Sequence, residues 1–95
     1  MPNATTSIMF FYVYALEGLK DKKRYIGYTV NLREGLEKHR KEQVFSTKPR
    51  LPMKLIYIEA CTNQDYAQRR GKYFKTTRER RFLAKRLKSY YQSRL

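Results

Sequence analysis

Two aromatic segments separated by a short polar stretch constrain the fold of this chain more than any other feature. Residues 8–16 read IMFFYVYAL and residues 24–29 read RYIGYT, while the residues between them, EGLKDKK, are polar and include a glycine. Aromatic and β-branched residues are typical of strands, so the pattern predicts a β-hairpin. Alternation along the first strand puts one set of side chains on each face: Phe10, Tyr12 and Tyr14 on one, Phe11, Val13 and Ala15 on the other.

The remaining pattern predicts one further strand and three helices. We expect a helix over residues 31–40 that fades near Glu42, a basic irregular loop over 43–53, and a strand over 54–60. Thr62 or Asn63 can cap a helix that runs to about residue 75, and a last helix follows to the C-terminus. The predicted order is β-β-α-β-α-α, an α+β fold with a three-stranded antiparallel sheet flanked by helices. We expect residues 1–7 to be a flexible N-terminus and residues 8–95 to form a single domain.

Cysteine, histidine and hydropathy exclude several classes of protein. The single cysteine, Cys61, leaves no internal disulfide and no disulfide-linked partner to expect, which favours a reducing compartment. One histidine and one cysteine make a zinc site implausible. The N-terminus lacks the pattern of a signal peptide and no apolar run approaches the roughly 20 residues of a membrane span. We therefore expect a cytoplasmic protein without a membrane partner, with association with the nucleoid as an open alternative.

Charge is the most informative property of the composition. The 22 lysines and arginines exceed the 8 acidic residues, which gives a formal net charge of +14. Such an excess repels itself in a compact chain, so a polyanionic partner is the economical explanation. A membrane surface would also attract it, but the basic residues are spread along the chain and interleaved with nine tyrosines. That mixture suits phosphates and base faces, and it favours nucleic acid.

Two glycines fall inside predicted helices, where they are unfavourable. Gly35 interrupts NLREGLEKHR and Gly71 interrupts DYAQRRGKYFK. Each costs its helix about 1 kcal/mol relative to alanine, because glycine loses the most backbone freedom on folding. Their positions therefore require an explanation beyond helix formation.

The ordered set of motifs resembles the GIY-YIG nuclease family. Tyr12-Val13-Tyr14, ten intervening residues and Tyr25-Ile26-Gly27 correspond to its two signature triplets. The sequences GYT and NL, a helix with His39 near its end, and the strand LIYIEA follow in the same order. The later segments KYFK and RRFLAKRLKSY resemble the small single-domain branch of that family. The resemblance covers nearly the whole chain and implies the same β-β-α-β-α-α fold.

The resemblance implies cleavage of phosphodiester bonds in DNA with one divalent metal ion, Mg²⁺ or Mn²⁺, in the active family form. Tyr14 and Tyr25 match the signature tyrosines, and His39 matches a further residue of the active site. The arginine that the family carries four residues before this position is replaced here by Gly35. Gly71 occupies the position of the glutamate that binds the metal, so we expect this chain to bind no metal there.

The expected contacts with nucleic acid extend beyond these positions. Around the signature triplets they are Tyr12, Gly27, Tyr28 and Thr29, and in the basic loop they are Ser46, Thr47, Lys48 and Arg50. On the later helices they are Arg70, Arg78, Arg80 and Arg81. Each of the aromatic residues could also be a packing residue, and His39 could simply complement a helix dipole. Glu59, at the end of a strand, is a possible substitute metal ligand or a solvated carboxylate.

We therefore predict an endonuclease fold that binds nucleic acid and cleaves poorly or not at all, with both missing side chains leaving gaps in one cleft. Deliberate replacement of both residues, or natural loss of catalysis with binding retained, would each produce this pattern, and glycine at both positions favours the first. A natural non-catalytic DNA- or RNA-binding module and, more remotely, a basic component of a ribonucleoprotein remain alternatives. The aromatic content slightly favours single-stranded or distorted DNA.

Overall fold

The computed structural model describes residues 9–44 and 46–93, apart from the side chains of residues 77–80 and 82. The predicted flexible segment, residues 1–7, lies outside the described residues. The elements follow the predicted order, except that β1 ends later than predicted and the last helix is divided into two. The single domain expected over residues 8–95 stays a prediction.

The sheet is the predicted antiparallel three-stranded one, built from β1 (Phe11–Gly18), β2 (Arg24–Thr29) and β3 (Met53–Cys61) in the order β2-β1-β3. β1 ends two residues later than the pattern indicated, because Glu17 still pairs with Arg24 on one side and Lys54 on the other. The carboxylate of Glu17 is buried and accepts a hydrogen bond of 3.1 Å from the hydroxyl of Tyr90. Glu17, near the end of the central strand, thus ties the sheet to the C-terminal part of the chain.

The two faces of the sheet have different neighbours. Residues that pair directly across β1 and β2 share a face, so one face carries Tyr12, Tyr14, Tyr25, Gly27 and Thr29. We call it the site face. The opposite face, the core face, carries Val13, Ala15, Ile26 and Tyr28. The alternation predicted for β1 is therefore confirmed over its strand residues.

The described residues also form four α-helices, α1 (Leu32–Arg40), α2 (Gln64–Tyr73), α3 (Thr77–Arg86) and α4 (Lys88–Ser93), with a short 3₁₀ turn at Lys48–Arg50. Asn31 and Asn63 cap α1 and α2, because each side chain accepts a hydrogen bond from a backbone N–H in the first turn. Helices α2 and α3 cover the core face, where the buried cluster consists of Val13, Ala15, Ile26, Ala67, Phe74, Leu83 and Leu87.

The prediction of one continuous last helix was wrong. The chain forms α3 and α4, which are separated at Leu87. Leu83 and Leu87 are both buried in the core, whereas Tyr90 reaches back to Glu17 at the end of β1. The separation allows Leu83 and Leu87 to fill the core, while Tyr90 in α4 contacts the end of β1. No helix in the described part of the chain has the length and apolar character needed to cross a membrane.

Candidate functional site

Tyr14, from the middle of the central strand, lies at the centre of the site face. It pairs with Gly27 on β2, and its ring lies directly over that glycine. A Cβ built on Gly27 would overlap the ring and hydroxyl of Tyr14. Because Tyr14 is only 4% exposed, its ring has little room to move away. Gly27 is therefore required by close packing rather than by an unusual backbone angle.

His39 reaches Tyr14 from the last turn of α1 and is itself buried, with 4% exposure. Its Nε2 lies 2.7 Å from the hydroxyl of Tyr14, and its Nδ1 lies 2.8 Å from Oγ1 of Thr47. The Thr47 hydroxyl is directed at the carbonyl of Val44, 3.4 Å away. If Thr47 donates to that carbonyl, it accepts from Nδ1–H, which leaves Nε2 to accept from the Tyr14 hydroxyl. These contacts form a chain from Tyr14 through His39 to Thr47.

Tyr25 completes the cluster from β2. Its ring centroid lies 4.9 Å from that of His39 at an interplanar angle of 69°. The ring of Tyr14 makes a similar edge-on contact with His39, at 5.7 Å and 80°. The structure therefore brings together the three side chains that the motifs singled out, although they come from three separate elements.

Burial sets the protonation of the cluster at neutral pH. It raises the pKa of Tyr14 to about 12, with a smaller contribution from the nearby Tyr25. Burial also lowers the pKa of His39, because an imidazolium would lose its hydration. Tyr14 is thus a neutral phenol and His39 a neutral imidazole near pH 7. The phenol would need a nearby positive charge before it could act as a base.

Gly35 lies one helical turn before His39 on α1, on the same side of that helix. A Cβ at this position would lie 3.2 Å from Cγ2 and Oγ1 of Thr29, on the site face. The Thr29 hydroxyl is held in turn by the backbone of Asn31, donating to its oxygen at 3.0 Å and accepting from its N–H at 3.1 Å. The position is therefore close to the cluster but narrow at its base.

Gly71 lies on the other side of the sheet. A Cβ built there would meet only Cγ2 of Val13, at 4.0 Å, and Val13 belongs to the core face. The two glycines thus do not leave gaps in one cleft, as the sequence suggested. Gly27 borders both regions, because Tyr14 covers it on the site face and it also lines a cavity beside Gly71.

The residues present do not fit a divalent metal ion. Among the described residues, no group of three histidine, cysteine, aspartate or glutamate side chains could hold one. Glu59, the possible substitute ligand, accepts two hydrogen bonds of 2.8 Å from the guanidinium of Arg70. This pairing lowers the pKa of Glu59 and fixes it against α2. The cavity beside Gly71 is lined by Lys72 and Lys75, which would repel a cation.

The other predicted contact residues are distributed unevenly. Tyr12 and Thr29 lie on the site face, whereas Tyr28 lies on the core face, away from the cluster. In the basic loop, Ser46 and Lys48 are exposed, but Thr47 is fully buried and contacts His39 instead.

The predicted arginines differ in how far they are free to bind a partner. Arg50 is paired with Asp21 at 3.0 Å, and Arg70 with Glu59, whereas Arg81 is exposed. The side chains of Arg78 and Arg80 lie outside the described residues. The roles of all these residues in binding remain predictions.

An apolar cleft of about 600 Å³ adjoins the cluster at His39. The motifs gave no indication of it, because its apolar walls come from three distant segments: Leu16, Leu36, Leu51, Pro52, Met53 and Leu55. The exposed residues Arg40, Lys41 and Glu42 also line it, and Arg40 is paired with Glu37. The site face therefore offers an apolar recess at His39 with charged residues of both signs at its edge.

Comparisons with known proteins agree with this fold. The model of the GIY-YIG catalytic domain matches residues 10–85. The chain is 46% identical over 55 residues to a UPF0213 protein of Pediococcus pentosaceus, a match that covers 57% of this chain and 57% of that protein. It thus spans little more than half the length of this curated relative. The solution NMR structure of a UPF0213 protein from Bacillus halodurans superposes with a TM-score of 0.53 at 30% identity, covering 81% of this chain and 84% of that one.

The family is a nuclease family that generally uses divalent metals, which implies a nucleic acid as the partner of its members. The family model covers most of the chain, and the three-stranded sheet, the helices and the relatives all agree with it. This chain is a member of the GIY-YIG nuclease family, in its small single-domain branch.

Proposed function

We propose that this chain binds nucleic acid on its site face, with a backbone phosphate beside Tyr14, Tyr25 and His39, and that it does not cleave the bound strand at an appreciable rate. The observation that carries the proposal is the buried hydrogen bond of 2.7 Å between Tyr14 and His39, on the face where residue 35 carries no guanidinium. Among the described residues, no group of three histidine, cysteine or acidic side chains could hold the metal ion that hydrolysis needs.

The protonation of the cluster supports the proposal that this chain does not cleave the bound strand at an appreciable rate. Hydrolysis of a phosphodiester requires an activated water molecule and positive charge close to the pentavalent phosphate. Tyr14, with a pKa raised to about 12, remains a phenol at neutral pH. A nearby arginine or cation would lower that pKa, and Gly35 supplies neither. Tyr14 is therefore a poor base, and its hydroxyl can donate to a phosphate only in exchange for its hydrogen bond to His39.

Charge and shape support the proposal that this chain binds nucleic acid on its site face. A net charge of +14 suits the phosphates of a nucleic acid. The cleft of about 600 Å³ beside His39 is mainly apolar, and its size lies within the range of about 300–1,000 Å³ that is common for small-ligand sites. A base attached to the bound phosphate could enter it once that base is unstacked. We therefore propose a DNA substrate with single-stranded or distorted character.

The binding test compares labelled single-stranded DNA, duplex DNA and structured RNA by fluorescence anisotropy at matched salt. We expect binding to weaken steeply as salt rises, and Tyr14→Phe to weaken binding several-fold without unfolding the chain. Equal binding of all three ligands would contradict the substrate preference. A marked preference for structured RNA would favour a role in a ribonucleoprotein.

The cleavage test restores the two side chains. The chain as it stands, Gly35→Arg, Gly71→Glu and the double variant are incubated with DNA and Mg²⁺ or Mn²⁺. We expect product above background only in the double variant, and its loss when Tyr14→Phe is added. A folded double variant that binds DNA without cutting it would refute the catalytic assignment and favour a natural binding module. Cleavage by the unmodified chain would refute the proposed inactivity.

A further inference from the structure

A cavity of about 310 Å³ lies between the edge strand β2 and helix α2, on the side where the family carries its metal-binding glutamate. Gly71 borders it and contributes no side chain. None of the described residues that line the cavity is acidic; they are Ile26, Gly27, Tyr28, Gln68, Gly71, Lys72 and Lys75. Its chemistry is thus the opposite of that of a cation site.

The polar groups of this cavity are mainly hydrogen-bond donors. Lys72 and Lys75 are exposed and carry ammonium groups, and Gln68 can donate from its amide. The hydroxyl oxygen of Tyr28 is buried and has no hydrogen-bond partner among the described residues. A buried donor without an acceptor is unfavourable, and no described residue supplies an acceptor to Tyr28.

The helix positions these groups together. Gln68, Lys72 and Lys75 are spaced by four and then three residues, which places them along one face of α2 and its C-terminal turn. Gly71 lies between them, and its missing side chain keeps the space open. Tyr28 reaches the same space from β2.

We propose that this cavity binds a phosphate group, held by the ammonium groups of Lys72 and Lys75 and by hydrogen bonds from Tyr28 and Gln68. The phosphate would lie where the family has a metal-binding carboxylate, and it would supply an acceptor for the Tyr28 hydroxyl. Loss of the glutamate thereby converts a cation site into an anion site. This inference goes beyond the proposed function and does not depend on it.

A second cavity indicates how such a phosphate could belong to a nucleic acid strand. It measures about 220 Å³, shares Ile26 and Lys75 with the first, and is also lined by Arg24 and Tyr25. Tyr25 belongs to the Tyr14–His39 cluster. Basic residues therefore lie along the edge of β2, between the Tyr14–His39 cluster and the cavity beside Gly71. The bound group is either free inorganic phosphate or a phosphate of the strand, and the experiment distinguishes the two.

The first measurement is a titration of the unmodified chain with inorganic phosphate, monitored by NMR through the chemical shifts of the Tyr28 and Gly71 backbone amides. A parallel titration with chloride at equal ionic strength is the reference. We expect saturable shifts at these amides. They should be lost in Lys72→Gln/Lys75→Gln and retained in Lys20→Gln/Lys88→Gln, a control with the same change in net charge at exposed lysines outside the cavity. Tyr28→Phe, which removes only the hydroxyl, should weaken phosphate binding by about tenfold.

Gly71→Glu is the decisive variant, because its carboxylate would pair with the same lysines and exclude phosphate. The proposal is overturned if Gly71→Glu binds phosphate as well as the unmodified chain does, or if the two double-lysine variants behave alike. Absence of saturable shifts in the unmodified chain would also overturn it.

The nucleic acid arm identifies the source of the phosphate. If the cavity holds a phosphate of a bound strand, Lys72→Gln/Lys75→Gln should lower the slope of log affinity against log salt by about one unit relative to the control. An unchanged slope, with loss of inorganic phosphate binding, assigns the cavity to free phosphate. The titration with inorganic phosphate needs no nucleic acid. Failure of DNA binding would therefore refute the proposed function and leave the phosphate result intact.

Discussion

The same substitution at the two helical glycines should have different effects on stability. Alanine in place of glycine inside a helix contributes about 1 kcal/mol through lower backbone entropy in the unfolded chain and better helix formation. Neither glycine has a positive φ, so alanine is compatible with both backbones. The difference must come from what each new methyl group meets.

At residue 71 the methyl group would meet only Cγ2 of Val13 at 4.0 Å, an ordinary van der Waals contact. Such contacts add a few tenths of a kcal/mol, so we expect Gly71→Ala to raise the free energy of unfolding by about 1–1.5 kcal/mol. At residue 35 the methyl group would lie 3.2–3.3 Å from three atoms of Thr29. Thr29 is held by two hydrogen bonds to Asn31 and cannot easily move. We expect Gly35→Ala to change stability by less than about 0.5 kcal/mol.

Urea unfolding of both single variants and the unmodified chain, followed by circular dichroism, measures these differences. Thermal unfolding should agree, with a midpoint that rises by about 4–8 °C per kcal/mol in a domain of this size. An equal gain at both positions, or a larger gain at Gly35, would refute the packing described around them. The result also decides whether a side chain can be reintroduced at residue 71 without strain, on which the cleavage test depends.

Three further predictions concern the packing, the histidine and the ion pair. Gly27→Ala should destabilise the fold by about 2–3 kcal/mol in urea, because the buried Tyr14 ring occupies the space of the new methyl group; a neutral effect would contradict that contact. His39 is the single histidine and burial lowers its pKa, so the unfolded chain binds the proton more readily and stability should fall as the pH drops below about 6.5. Urea unfolding at pH 7.5 and 5.5 checks this, and His39→Gln should remove the difference between the two. Arg70→Gln should destabilise by about 2 kcal/mol because the half-buried Glu59 carboxylate loses its ion pair and keeps only a hydrogen bond of 3.3 Å from Tyr57 and the nearby charge of Arg86, and adding Glu59→Gln should recover part of the loss in a double-mutant cycle; additive effects would exclude coupling between the two.

The strands and the first two helices could be predicted because their signals are local. The aromatic alternation of β1 and β2, the capping residues Asn31 and Asn63, and the apolar spacing of α1 each act within a few residues. The separation of α3 from α4 could not be predicted, because Tyr90 contacts Glu17, which lies far away in the chain. Helix periodicity carries no information about such a contact.

The cluster was predictable as a set of residues but not as a geometry. The two tyrosine triplets and His39 identified the residues, and the structure gives the hydrogen bond between Tyr14 and His39. Thr47 was expected to contact nucleic acid directly, whereas the structure shows it buried against His39. Lys72 and Lys75 were not singled out, although their spacing with Gln68 on one helix face was a signal that could have identified them.

What the sequence determined by itself is the family, the order of the elements and the strong positive charge, because each is a property of residue identity and local spacing. The assignment of Gly35 and Gly71 to the positions of two functional side chains stays a prediction. What only the tertiary structure decided is the side of the sheet on which each of these residues lies. Strand pairing places Tyr14, Gly27 and Thr29 on one face and Val13 and Tyr28 on the other. Pairing is a contact between distant segments, so it alone separates Gly35 from Gly71 and puts two lysines beside the second gap.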